Sequence, residues 1–168
     1  MKPDHKFDSV HYLTQGIELL EGISDETFRN NQHELFSSGV GKHFRHIIDH
    51  YNALLQGLDG VINYDLRPRN IQIEQERSVA IETIRHTCAE IEKLPYDRKG
   101  LEVEALPATA KEGDSIRTES TLQREFQFLT SHTIHHYAIV SLLLKLQGHQ
   151  VPREFGVAPS TLRHEAGR

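Results

Sequence analysis

With 168 residues and a mass of 19.3 kDa, the chain is long enough to bury about two-thirds of its unfolded surface in one domain, without disulfides or a structural metal. Its 24 acidic against 19 basic residues, for a net charge of -5, supply no field for a phosphate backbone, which excludes nucleic acid as the expected partner. The single Cys88 excludes an internal disulfide framework and suits a reducing compartment. The charged start "MKPDHKFDSVHYL" has no apolar signal core. The longest apolar run, Ala138 to Leu144, is interrupted by Ser141 and too short to span a bilayer. A single cytoplasmic domain over residues 1–168, with no membrane partner, is the expectation.

Along the chain, Val10, Leu13, Ile17 and Leu20 recur at helical steps and predict a first helix from Ser9 to Ile23, stopped by Gly22 and Ser24. The turn "SSGVG" opens a second, whose stripe is Val40, Phe44, Ile47, Tyr51, Leu54 and Leu58. "VINYDLRPRN" reads as an extended crossing loop, since Pro68 disfavours helix at Arg67. Asn70 then caps a third helix carrying Ala80, Ile81, Ile84, Cys88, Ile91 and Leu94 up to Pro95. The alternation "LEVEAL", the turn "KEGDS" and "IRT" predict a small hairpin or a long loop. Ser120 and Gln123 form a capping box for a fourth helix that runs to about Gln147, with Gly148 as its stop. The tail from about residue 149 reads as coil with one short turn. The expected class is all-α, a mostly antiparallel four-helix bundle.

Histidine is the unusual residue. Of 12 in the chain, three fall between His43 and His50 and three between His132 and His136, where even scatter would put about one in both windows together. On the fourth helix, His136 lies on the apolar stripe and His132 at its edge, one turn apart, while His135 points elsewhere. Two such imidazoles converge on one ion, and His43, His46 or His50 of the second helix offers a third ligand from the facing side of a bundle. His5, His11, His33, His86, His149 and His164 read as surface residues.

"GKHFRHIIDHYNALL", followed far downstream by "FLTSHTIHHYAIVSLLL", resembles the DinB-like (YfiT-like) superfamily of bacterial four-helix-bundle proteins, over roughly Ser37 to Leu144. The resemblance implies one divalent ion held by His46, which opens "HIIDH", and by His132 and His136 of "SHTIHH". The helical wheel favours His43 and His50 over His46, so His50 stands in reserve. Three neutral imidazoles would leave the ion an open position. Zinc or nickel suits such a set, with iron or manganese as alternatives.

The resemblance further implies a metal-dependent enzyme that activates a low-molecular-weight thiol or water toward a small electrophile, as a thiol S-transferase or a hydrolase. Asp49 and Glu125 are candidates to orient an imidazole. Tyr64, Asp65, Arg67 and Arg69 form a polar group for an anionic substrate. No phosphate loop, nucleophile elbow or paired-cysteine motif is present, which sets aside nucleotide, serine-hydrolase and dithiol chemistry. The rival is a non-catalytic homodimer that binds metal or ligand as sensor or carrier. Phe128, Leu142 and Leu146 lie off the main stripe of the fourth helix and invite a partner chain.

Overall fold

The Asp4 carboxylate accepts from the Lys6 backbone N–H at 2.9 Å and starts helix α1 (His5–Glu21), which ends at Gly22. The computed structural model describes residues 4–31, 38–95, 97–109, 111 and 114–167. Ser24 does more than stop the first helix. Its hydroxyl accepts from the Thr27 N–H and caps a short second one, α2 (Asp25–Arg29). Helix α3 (Val40–Gly57) carries the first histidine cluster and is followed by a three-residue strand, β1 (Val61–Asn63), then the loop 64–70.

Asn70 caps a helix, as its side chain permits, but only a single turn and a half: α4 (Ile71–Gln75). Extended backbone at Glu76 separates it from α5 (Arg77–Lys93), so the expected third helix is in two pieces. Strands β2 (Lys99–Ala105) and β3 (Ile116–Thr121) form the antiparallel hairpin, with an irregularity between Lys99 and Leu101. Thr121, rather than Ser120, caps α6 (Leu122–Leu146), because β3 continues through Ser120 and the helical turn begins one residue later. Gly148, at φ +82°, takes the left-handed conformation that ends this helix. The tail is not all coil: Pro159 at the first turn starts α7 (Pro159–Ala166). His33, Ser37 and residues 112 and 113 of the predicted turn lie outside the described residues.

The chain is mostly helical, as expected, and the hairpin is joined by β1 in a three-stranded sheet in the order β1-β2-β3. Its first strand pairs parallel to the hairpin, Val61 opposite Glu102 and Asn63 opposite Glu104. Ile62 and Leu101 turn their side chains into the core, so the sheet packs against the helices.

Helix α1 packs on α5 and α6, and α3 packs on the same two. The shared core runs through Leu13, Leu20, Phe44, Ile47, Tyr51, Leu54, Ile84, Phe126, Leu129 and Leu144, all essentially inaccessible to water. Each such side chain contributes about 1.5–3 kcal/mol through burial. Two buried polar contacts cross between α1 and α6. Ser9 Oγ and Thr130 Oγ1 lie 2.8 Å apart, and the Tyr137 hydroxyl donates to the Tyr12 carbonyl at 2.9 Å. The Tyr137 hydroxyl stands over Gly16, where any Cβ would come within 2.0 Å of it. These contacts fix the placement of α6 on α1, and hence of the histidines that α6 carries.

Candidate metal centre

His43, His46 and His50 follow one another at steps of three and four on α3, and His132 and His136 are one turn apart on α6. Because α3 and α6 pack side by side, the two rows meet. One ring nitrogen from each of His46, His132 and His136 lies within 4.8 Å of the other two, and each of the three is half-buried. Ring centroids are 4.6 Å apart for His46 and His136, 4.6 Å for His132 and His136, and 5.0 Å for His46 and His132. His135 is exposed and outside the triad.

The remaining histidines of the first cluster surround these three. His43 Nδ1 is 2.9 Å from His136 Nδ1, and its Nε2 is 3.0 Å from Ser38 Oγ. His50 is buried, with Nδ1 donating to the His46 carbonyl at 2.7 Å and its ring centroid 4.3 Å from that of His132. Only His46 of α3 shares the triad, while His43 and His50 hold its flanks.

Electrostatics favours neutral rings. Burial, then repulsion from His50, His136 and His132, pushes His46 down to about 2. Burial and the neighbouring His132 and His43 push His136 down to about 3, and burial with His50 and His135 pushes His132 to about 4. Neutral imidazoles keep a lone pair at pH 7, as a metal ligand must. The decisive atom is His132 Nε2, which is buried and has no hydrogen-bond partner among the described residues. A buried nitrogen of that kind needs an acceptor, a donor or an ion. The donor set, three nitrogens and no sulfur, suits a borderline divalent cation such as zinc or nickel.

Neither carboxylate singled out from the sequence touches an imidazole. Asp49 accepts from Arg45 Nη1 at 2.8 Å, the residue one turn before it, and Arg45 Nε also reaches Glu74. Glu125 accepts from the Tyr64 hydroxyl at 2.7 Å and from the Ser120 hydroxyl. Glu125 therefore acts through Tyr64, whose ring stacks on His50 with centroids 5.7 Å apart. In the polar loop, Asp65 accepts from the Leu106 N–H and Arg69 is exposed. Arg67 reaches the triad itself, donating from Nη2 to His46 Nδ1 at 3.0 Å.

Phe128 is partly buried within the chain, against Tyr64 and His132. Leu142 and Leu146 remain exposed. Cys88 sits on α5, away from both histidine rows in sequence, and burial pushes its thiol up to about 11. A cavity of about 450 Å³ between α1 and the tail, lined by His11, Gln15, Leu19 and Phe155 among others, shares no residue with the cluster.

Compared with curated proteins, the chain is similar to FK506-binding protein 5 of Rhizopus delemar, at 38% identity over 109 residues. The match takes in 62% of this chain and 27% of that protein, so the chain spans about a quarter of the relative's length. No family model matches the chain, and no solved structure does. Among the described residues, no helix is long and apolar enough to cross a membrane.

Proposed function

We propose that the chain is a DinB-like four-helix-bundle protein, built on α1, α3, α5 and α6, in which His46, His132 and His136 hold one divalent ion. The observation that carries this reading is the buried, unpartnered Nε2 of His132 within reach of two further neutral imidazoles. Zinc or nickel is favoured, with iron or manganese as alternatives. An ion with three neutral ligands and an open position supplies a thiolate or hydroxide at neutral pH by lowering the pKa of the thiol or water it binds.

The chain's own groups have separable tasks. His43 orients His136 through the contact between their Nδ1 atoms, and Ser38 holds the far nitrogen of His43. If His43 donates to Ser38 and accepts from His136, the His136 Nε2 lone pair is directed away from His43. His50 is fixed by its bond to the His46 carbonyl and braced by Tyr64, which in turn is held by Glu125. Phe128 and Tyr64 form an apolar wall beside His132 that limits water there. On this reading the protein is a cytoplasmic metal-dependent enzyme, a thiol S-transferase or hydrolase, acting on a small electrophile with a low-molecular-weight thiol or water. The Rhizopus relative's name speaks of FK506 binding, which is said of that protein and does not enter this reading.

A second reading, a non-catalytic homodimer serving as sensor or carrier, draws on the exposed Leu142 and Leu146 of α6. Elemental analysis of the purified chain together with turnover across a panel of thiols and electrophiles tests both. One equivalent of metal with turnover supports the enzyme. Metal without turnover favours the sensor or carrier, and no metal in wild-type protein refutes the centre.

A further inference from the structure

Arg67 is held in an unusual way. Four arginines among the described residues escape full exposure: Arg45, Arg67, Arg77 and Arg98. Arg45 pairs with Asp49 and Glu74, Arg77 with Asp25, and Arg98 with Asp59. Arg67 alone of the four has no carboxylate within ion-pair distance among the described residues. Asp49 and Asp65 act on it only through space, being engaged by Arg45 and by the Leu106 N–H. Its Nη1 donates to the Tyr64 carbonyl, its Nη2 to His46 Nδ1, and its Nε is buried without a partner.

The bond to His46 and an ion on His46 exclude each other. Guanidinium nitrogens only donate, so His46 Nδ1 must accept, and a neutral His46 then carries its proton on Nε2. An ion at Nε2 moves that proton to Nδ1, where it faces an N–H of Arg67. An ion at Nδ1 takes the lone pair that Arg67 uses. Either way Nη2 loses its acceptor, and it joins Nε on one edge of the guanidinium. Two parallel N–H groups on that edge match the two oxygens of a carboxylate.

We propose that the substrate of this centre carries a carboxylate, which Arg67 receives through its Nε and Nη2 edge beside the ion. This rests on the reading that His46, His132 and His136 hold an ion. A guanidinium next to a divalent cation, with no protein carboxylate paired to it, forms a positive site that an anion neutralises. A single guanidinium without a glycine-rich phosphate cradle fits a singly charged carboxylate better than a phosphate dianion.

The test titrates zinc, then acetate, acetamide and inorganic phosphate, into wild type, Arg67→Gln and Arg67→Lys, by calorimetry and by the arginine Nε–H resonances in nitrogen-15 spectra. The Arg67 signal is assigned by its loss in Arg67→Gln. Zinc should bind wild type, and Arg67→Gln at least as tightly, because a competing donor is removed. Acetate should move the Arg67 signal in zinc-loaded wild type and bind it about tenfold or more tightly than Arg67→Gln, with Arg67→Lys between them. Acetamide should leave the signal in place. Normal zinc binding with an unmoved Arg67 signal, or with equal acetate affinity in Arg67→Gln, overturns the role of Arg67 and leaves the ion centre standing. Phosphate binding without acetate binding overturns the carboxylate assignment. Failure of wild type to bind zinc overturns the centre and this inference with it.

Discussion

Replacing Gly16 by Ala sets two physical effects against each other, and the sign of the result decides between them. Helix propensity alone favours Ala over Gly inside α1 by about 1 kcal/mol. Packing says the opposite. The new Cβ would lie 2.0 Å from the Tyr137 hydroxyl and 3.0 Å from Phe44 Cε1, both fully buried. Overpacking of this kind costs about 1–3 kcal/mol. Displacing the Tyr137 hydroxyl also breaks its bond to the Tyr12 carbonyl and leaves a buried donor unpaired, for about 1–3 kcal/mol more. Net of propensity, Gly16→Ala should destabilise the fold by about 1–5 kcal/mol, read as a lower urea midpoint at unchanged slope. In a Tyr137→Phe background the hydroxyl is gone, and the same substitution should cost less. A Gly16→Ala variant as stable as wild type, or an equal cost in both backgrounds, would refute this account of how α1 and α6 are spaced.

Four further outcomes are expected. His132→Ala should abolish stoichiometric metal while far-UV circular dichroism keeps most of the helix signal, whereas His135→Ala should change neither. Because His46, His132 and His136 are depressed in the fold, the unfolded chain takes up protons first. Stability in chelator should therefore be intact above pH 6.5 and fall as pH drops from 6.5 toward 4; a flat thermal-unfolding profile over that window counts against it. Asp49→Ala leaves the buried Arg45 with Glu74 alone and should cost about 3 kcal/mol in urea unfolding, with metal content preserved. Light scattering should report a dimer that Leu142→Glu together with Leu146→Glu converts to a monomer.

The long helices were legible because their apolar residues keep one period over many turns, as in the stripe from Val40 to Leu58. The hairpin was legible in the alternation of "LEVEA". Strand β1 was not, since the three residues Val61 to Asn63 are too few to show a period and the pairing with β2 depends on tertiary contacts. Helix α7 was hidden for a different reason: it has no buried residue and hence no stripe to read. At the site, the spacing of His132 and His136 on one helix face could be read directly. The neighbourhood of Asp49 could not, because it stands one turn from Arg45 and three residues from His46, and only the packing of α4 beside α3 shows that charge pairing wins. Arg67 was visible as a polar loop residue, while its reach to His46 follows from the path of the loop between β1 and α4.

The histidine rows that meet through His43 and His136 are 93 positions apart in the chain. At roughly 5–20 residues per second, synthesis separates their appearance by about 5–20 s. Throughout that interval the row on α3 faces the surroundings alone, offering His43, His46 and His50 but neither imidazole of α6. An ion captured then would meet a different set of ligands from the one the finished fold assembles. On the reading that His46, His132 and His136 hold an ion, the ligands it meets depend on whether α6 has docked, and the order of events in biogenesis becomes part of what specifies the site.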